Sequence, residues 1–258
     1  MQSSSIQKRQ LSIFDSVDDL VDVTIERFIW LSEEAIKRRG RFTVALSGGH
    51  TPKVIYERLA SPEVAQRIEW SKVYFFMGDE RCVPDDSEDN NFRMARLSML
   101  SKLKIPHENL FPTQGQDKDP AQSALDYENT IRKFFGVKEG DWPAFDLMFM
   151  GLGPDGHTAS LFPNTAALSE MRRLVVANYV ERLKSWRITM TLPLINRSRH
   201  IIFVVSGSEK ADVLADILSS DEVKYPSQLV RPHEGELEWF VDREAAAKTN
   251  LSHIGSGE

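Results

Sequence analysis

Three stretches of this chain are apolar without alternation: KVYFFM at 72–77, FDLMFM at 145–150 and HIIFVVSG at 200–207. A strand with one wet face alternates, whereas a strand covered on both faces is apolar at successive positions. RFTVAL at 41–46 is of the same kind. Between these runs the spacing changes to three and four. In SVDDLVDVTIERFIWLSEEAIKRRG the positions Val17, Leu20, Val21, Thr24, Phe28, Leu31 and Ala35 make one helical stripe. Ser16 can cap this helix with Asp19 at its third position, Gly40 can end it, and Lys37, Arg38 and Arg39 suit its negative end. Further helices are expected over Pro52–Leu59, 90–100, 121–135 and SEKADVLADILSS at 208–220. RRLVVAN, WRITMTL and LEWFVD are shorter strand candidates.

Buried strands alternating with helices imply an α/β fold, a mostly parallel sheet with helices on both faces. No internal repeat or low-complexity linker breaks the chain, and 102–120 is the longest expected connection. One domain over residues 1–258 is the simplest organisation, with residues 1–10 expected to be flexible. A chain of 258 residues buries a core without staples. Cys82 is the single cysteine, which rules out an intrachain disulfide and fits a reducing compartment. The net charge of −6 argues against bulk nucleic-acid binding, although a local basic pocket can still take an anion. The start MQSSSIQKRQLSIFDS lacks the apolar run of a signal peptide, and no stretch approaches the ~18 apolar residues of a span. A cytoplasmic protein with no membrane or nucleic-acid partner is therefore expected, as a monomer or weak homo-oligomer.

In a parallel sheet, ligands bind beyond the carboxyl ends of the strands. Four strand ends here carry polar or glycine-rich residues: SGGHTP, GDER, GLGPDGH and SGSEK. Ser47, Gly48, Gly49 and Thr51 can turn backbone N–H groups toward an anion at a helix start, or form a plain turn. Lys210 sits in the expected first turn of a helix, where the dipole disfavours a cation, so a bound phosphate would explain it. Arg187 opens a strand and either faces the same pocket or an edge. Asp79, Glu80 and Arg81 close a strand as a site or as a self-neutralising turn.

GLGPDG satisfies the dinucleotide pattern, but Pro163 interrupts the helix such a pattern should open, and no clear acid closes a second strand about 20 residues on. Asp155 and His157 lie two apart on a loop that its glycines free to curl. Imidazole is a natural general base, and a carboxylate can fix its tautomer or position a water. Asp79, Asp155 and His157 as metal ligands are a weaker alternative, because no paired-histidine spacing is present.

Taken together, ALSGGHTP, FMGDERCVPDDSEDNNFRMA, FDLMFMGLGPDGHTASLFPNT, RITMTLPLINRSRHIIFVVSGSEKADVL and PSQLVRPHEGELEWFVDREAA resemble the 6-phosphogluconolactonase family. That family shares a superfamily with glucosamine-6-phosphate isomerase/deaminase. The resemblance runs from residue 42 to 247. It implies a modified Rossmann-like sheet and a cofactor-free hydrolase that opens 6-phospho-D-glucono-1,5-lactone, a sugar-phosphate lactone, in the oxidative pentose phosphate pathway. It implies His157 as general base with Asp79 and Asp155 as active-site acids, and no metal. Ser47, Gly48 and Gly49 would form the sugar-phosphate turn, beside Thr51, with Lys210 and Arg187 as phosphate ligands. Arg81 is similar to a ligand-contacting arginine. The deaminase branch carries a relay glutamate where this chain has Phe162, and a tyrosine where it has Arg81, so the pattern here resembles the lactonase.

Overall fold

The computed structural model describes residues 10–113, 119–219 and 222–250. Ten strands are present among them: β1 (Gln10–Phe14), β2 (Phe42–Leu46), β3 (Val73–Met77), β4 (Asp79–Arg81), β5 (Leu110–Phe111), β6 (Leu147–Met150), β7 (Val175–Val180), β8 (Ser185–Met190), β9 (His200–Val205) and β10 (Glu236–Asp242). The helices are α1 (Val17–Arg39), α2 (His50–Leu59), α3 (Pro62–Ala65), α4 (Asn91–Ser98), α5 (Pro120–Phe135), α6 (Leu192–Ile195) and α7 (Ala211–Ser219). Seven strands form one parallel sheet in the order β1-β10-β9-β6-β2-β3-β5, and β4, β8 and β7 form a small antiparallel sheet.

The doubly covered sheet follows from the apolar runs. Every residue of β2 and β6 is buried. Phe42, Val44 and Leu46 face a core shared with α1, α2 and α4, where Phe28 of α1 stacks on Phe149 of β6 at 6.2 Å. Ala45, Met148 and Met150 face the other way, into a core with α5, α7 and residues Val175, Ile188 and Met190 of the small sheet. The ends of α1 match expectation: Ser16 Oγ accepts from Asp19 N at 3.1 Å, and Gly40 adopts φ 73. Beneath the sheet the buried Asp146 accepts from Thr43 N and Oγ1 at 2.9 and 2.8 Å and pairs with Arg39 at 2.8 Å.

Three expectations change. Residues 1–9 lie outside the described residues, but Gln10 is not loose: it starts β1, which runs parallel to β10 with Leu11 opposite Trp239. Residues 79–81 are more than the end of a strand, because they form β4, paired antiparallel to β8. Gly78 makes the change of direction, its N–H donating to Leu46 O while its carbonyl accepts from Met190 N. Finally, the 102–120 connection contains β5, paired to β3, although 114–118 of it lie outside the described residues.

Candidate active site

Chain order reverses between β2 and β6, which lie side by side. The segments leaving their carboxyl ends therefore diverge and open a crevice. Ser47, Gly48 and Gly49 line it from β2, Asp79 and Arg81 from β4, residues 151–154 and 157–160 from β6, Arg187 from β8 and Lys210 from beyond β9. The cavity measures about 370 Å³, which suits a small polar molecule.

The first wall is the turn after β2. The buried Tyr56 hydroxyl accepts from Ser47 N and donates to Ser47 O, both at 2.9 Å, so α2 holds the turn that precedes it. Gly49 sits at φ 109, a conformation that favours glycine. Gly48 is in contact with Asn91: a Cβ there would lie 2.0 Å from Asn91 Oδ1. Among the described residues the N–H groups of Gly48 and Gly49 have no acceptor. Two free donors beside a helix N-terminus favour an anion. Lys210 Nζ reaches the same cavity, 3.7 Å from Glu209 Oε1. It belongs to a short 3₁₀ turn, Ser208–Lys210, ahead of α7.

The small sheet forms the second wall. Arg81 and Arg187 are directly opposite across β4 and β8. Burial and the neighbouring Arg81 charge both lower the pKa of Arg187, with Asp79 acting against them. Two guanidinium groups at one register position repel each other, and an anion between them would relieve that. Burial raises the Asp79 carboxyl above its ordinary value, although Ser160 Oγ donates to its Oδ2 at 2.6 Å and Arg81, His157 and Arg187 favour its charge. Glu80 points the other way and is buried. It accepts from the N–H groups of Arg81, Asn91 and Phe92 at 2.7–2.8 Å, fixing the start of α4 against the site. Burial pushes its carboxyl up to about 7 against those three donors.

The loop after β6 carries His157. Its Nδ1 lies 2.5 Å from Asp155 Oδ1, which leaves Nε2 as the ring nitrogen available to a ligand. The imidazole stacks on Phe162 with ring centres 4.0 Å apart. Gly153 allows this close approach, since a Cβ would fall 1.9 Å from His157 Nδ1. Ala159 adopts φ 46, a strained conformation of the kind that clusters at functional loops. Burial works to raise the Asp155 carboxyl, but His157 and Arg182 outweigh it and hold it below its ordinary value.

Of the residues singled out from sequence, Ser47, Gly48, Gly49, Asp79, Arg81, His157, Arg187 and Lys210 share this cavity. Asp155 stands behind the histidine, paired also to Arg182 Nη2 at 2.6 Å. Thr51 lies in an adjoining cleft, its Oγ1 2.7 Å from Ser206 Oγ. Asp79, Asp155 and His157 do not converge as metal ligands. Among the described residues the one such group is His200, Glu236 and Glu238, where Arg27 already bonds both carboxylates. Asn91 and Arg182 also line the cavity and were not anticipated. The paired asparagines of NNFRMA are a helix-start signal, and Asn90 does cap α4. Nothing in ERLK marks Arg182.

No helix among the described residues is long and apolar enough to cross a membrane. Residues 15–239 match the family model described as glucosamine-6-phosphate isomerases/6-phosphogluconolactonase. A 6-phosphogluconolactonase of a Synechocystis strain is 45% identical over 82% of this chain and 86% of its own length. One of a Nostoc strain is 39% identical over 95% of this chain and 100% of its own. The solved 6-phosphogluconolactonase from Trypanosoma cruzi superposes with a TM-score of 0.84 at 32% identity, covering 95% of this chain and 97% of that one. With the family model, the curated relatives and the solved structure all in agreement, the chain belongs to the glucosamine-6-phosphate isomerase/6-phosphogluconolactonase family.

Proposed function

We propose that this protein hydrolyses 6-phospho-D-glucono-1,5-lactone to 6-phospho-D-gluconate, with His157 as general base. The observation that carries the reading is the Asp155–His157 pair, set beside a cavity that also holds unpaired backbone donors and four cationic side chains, Arg81, Arg182, Arg187 and Lys210. The relatives bearing the lactonase name support the same substrate class.

In this mechanism the phosphate docks on the free N–H groups of Gly48 and Gly49 with Lys210, and Arg187 contributes from the opposite wall. Charge-assisted bonds fix that end and so place the ring. His157 Nε2 takes a proton from a water that attacks the C1 carbonyl. Asp155 holds Nδ1 and stabilises the imidazolium as it forms. Negative charge then develops on the carbonyl oxygen. The N–H groups of Gly153 and Gly156 already donate to His157 O and Gly153 O, whereas Arg81, bonded to Asp89 through Nη1, keeps further N–H donors for that charge. The tetrahedral state collapses, the C1–ring-oxygen bond breaks, and His157 returns its proton to the departing ring oxygen. Phe162, stacked on His157, has no proton to relay, which weighs against the deaminase reaction.

The test is proton release from lactone made in situ, with EDTA present and spontaneous opening subtracted. Acceleration is expected, with no ammonia formed from glucosamine 6-phosphate. His157→Ala should lose about 10²–10⁴-fold in rate. Turnover by that variant at the wild-type rate would end the proposal.

A further inference from the structure

The turn joining β7 to β8 brings Arg182 over the crevice. Arg182 and Leu183 line the cavity, and Lys184 closes the turn in the left-handed region at φ 46. The Arg182 guanidinium makes two contacts with the surroundings of one histidine. Its Nη2 lies 2.6 Å from Asp155 Oδ2, while the other oxygen, Oδ1, meets His157 Nδ1. Its Cζ lies 5.2 Å from the centre of the Phe162 ring, and that ring backs the imidazole. A carboxylate with one bonded oxygen can rotate, whereas one held at both cannot do so without breaking a bond. The side chain is 50% exposed, so the ion pair adds little to stability. Its value lies in geometry and charge.

We infer that Arg182 is a positioning residue for His157, clamping Asp155 and Phe162 around the imidazole so that Nε2 faces the substrate. The inference rests on the lactonase reading for its kinetic consequences only. Asp155 on its own loop bonds His157, and Asp79 and Arg81 from β4, Arg187 from β8 and Lys210 beyond β9 share its cavity. Arg182 offsets the Asp155 charge, the negative charge bonded to the ring.

Arg182→Met and Arg182→Lys in the full chain test this. In the methionine variant kcat should fall about tenfold with KM within about twofold, as expected for lost orientation rather than lost binding. Nitrogen-15 spectra of the His157 ring, assigned by its disappearance in His157→Ala, should change from one tautomer to a mixture. Lysine restores the charge but neither the fork nor the flat face, so it should return only part of kcat. A methionine variant with a wild-type ring spectrum would overturn the inference. So would a raised KM with unchanged kcat, which would make Arg182 a substrate ligand. Should the wild type show no lactonase turnover, the proposed function fails, and the ring spectrum alone decides the role of Arg182.

Discussion

Gly153→Ala isolates the placement of the base from its chemistry. Gly153 does not have a positive φ, so alanine brings no backbone strain. The added Cβ would lie 1.9 Å from His157 Nδ1, 2.0 Å from Cε1 and 2.7 Å from Cγ. To reach ordinary contact the ring must retreat by about 1.5 Å, the difference between roughly 3.4 Å and the 1.9 Å of the built position. That movement breaks the 2.5 Å contact with Asp155 and moves Nε2 from its aim. Misplacement by about 1 Å can cost on the order of 10²-fold, equivalent to ~2.7 kcal/mol in the barrier. The His157 side chain is 24% exposed, so it can swing outward without unfolding its loop. The expected result is therefore a rate near 1% of wild type, roughly 10²-fold down, in a protein whose melting temperature changes by no more than about 3 °C. The assay is proton release from the lactone beside a thermal melt. A folded variant within threefold of the wild-type rate would refute the reasoning, because an imidazole that tolerates such displacement is not a positioned base.

Two further substitutions test the supports of the site. Tyr56→Phe removes the hydroxyl that serves both backbone groups of Ser47, and orphaning them should cost about 1–3 kcal/mol in urea unfolding. It should also weaken phosphate inhibition, and unchanged stability would mean that the turn holds without α2. Glu80 concerns pH. Its folded carboxyl titrates near 7 against an ordinary 4.5, so the native state keeps a proton that the unfolded chain has released. Its contribution is then present below pH 4.5 and is lost as pH rises toward 7. Glu80→Gln should be less stable at low pH, because an amide nitrogen cannot accept from the N–H groups that start α4, yet it should lack this decline. Parallel stability profiles for wild type and variant across that interval would contradict the assignment.

How much of this was legible in the sequence depends on where the constraint lies. Phe42–Leu46, Val73–Met77 and Leu147–Met150 are buried from both sides, so composition alone announces them. Ser16 and Gly40 mark the ends of α1 by local chemistry, and both caps are present. The glycine-rich strand ends pointed to one crevice because a parallel sheet has one end at which such loops gather. Gln10–Phe14 was not legible, since QLSIF is short and mixed and its partner is the last strand. Asp79–Arg81 was misleading: three charged residues look like a turn, and only Thr189, Ile188 and Arg187 across the ladder make them a strand. Arg182 was invisible for a related reason, because its contacts come from the loop after β6, on the other side of β7 in the chain.

The pairing of β1 with β10 has a temporal consequence. Gln10–Phe14 precede every other described strand in the chain, and their only ladder partner among the described residues ends at Asp242. At about 5–20 residues per second, β1 waits roughly 10–50 s before it has a strand to join. During that interval the growing chain already holds β2, β3, β6 and β9, with β9 as a temporary border of the sheet. Sheet closure on this side thus waits for the last of the described strands and is a contact of very high sequence separation, which slows folding. A chain stalled before Glu236 would expose the edge of His200–Val205, whose last five residues are all buried in the finished protein. An apolar edge of that kind is a site for aggregation, so truncation at the carboxyl end should be more damaging to yield than loss of β1 itself.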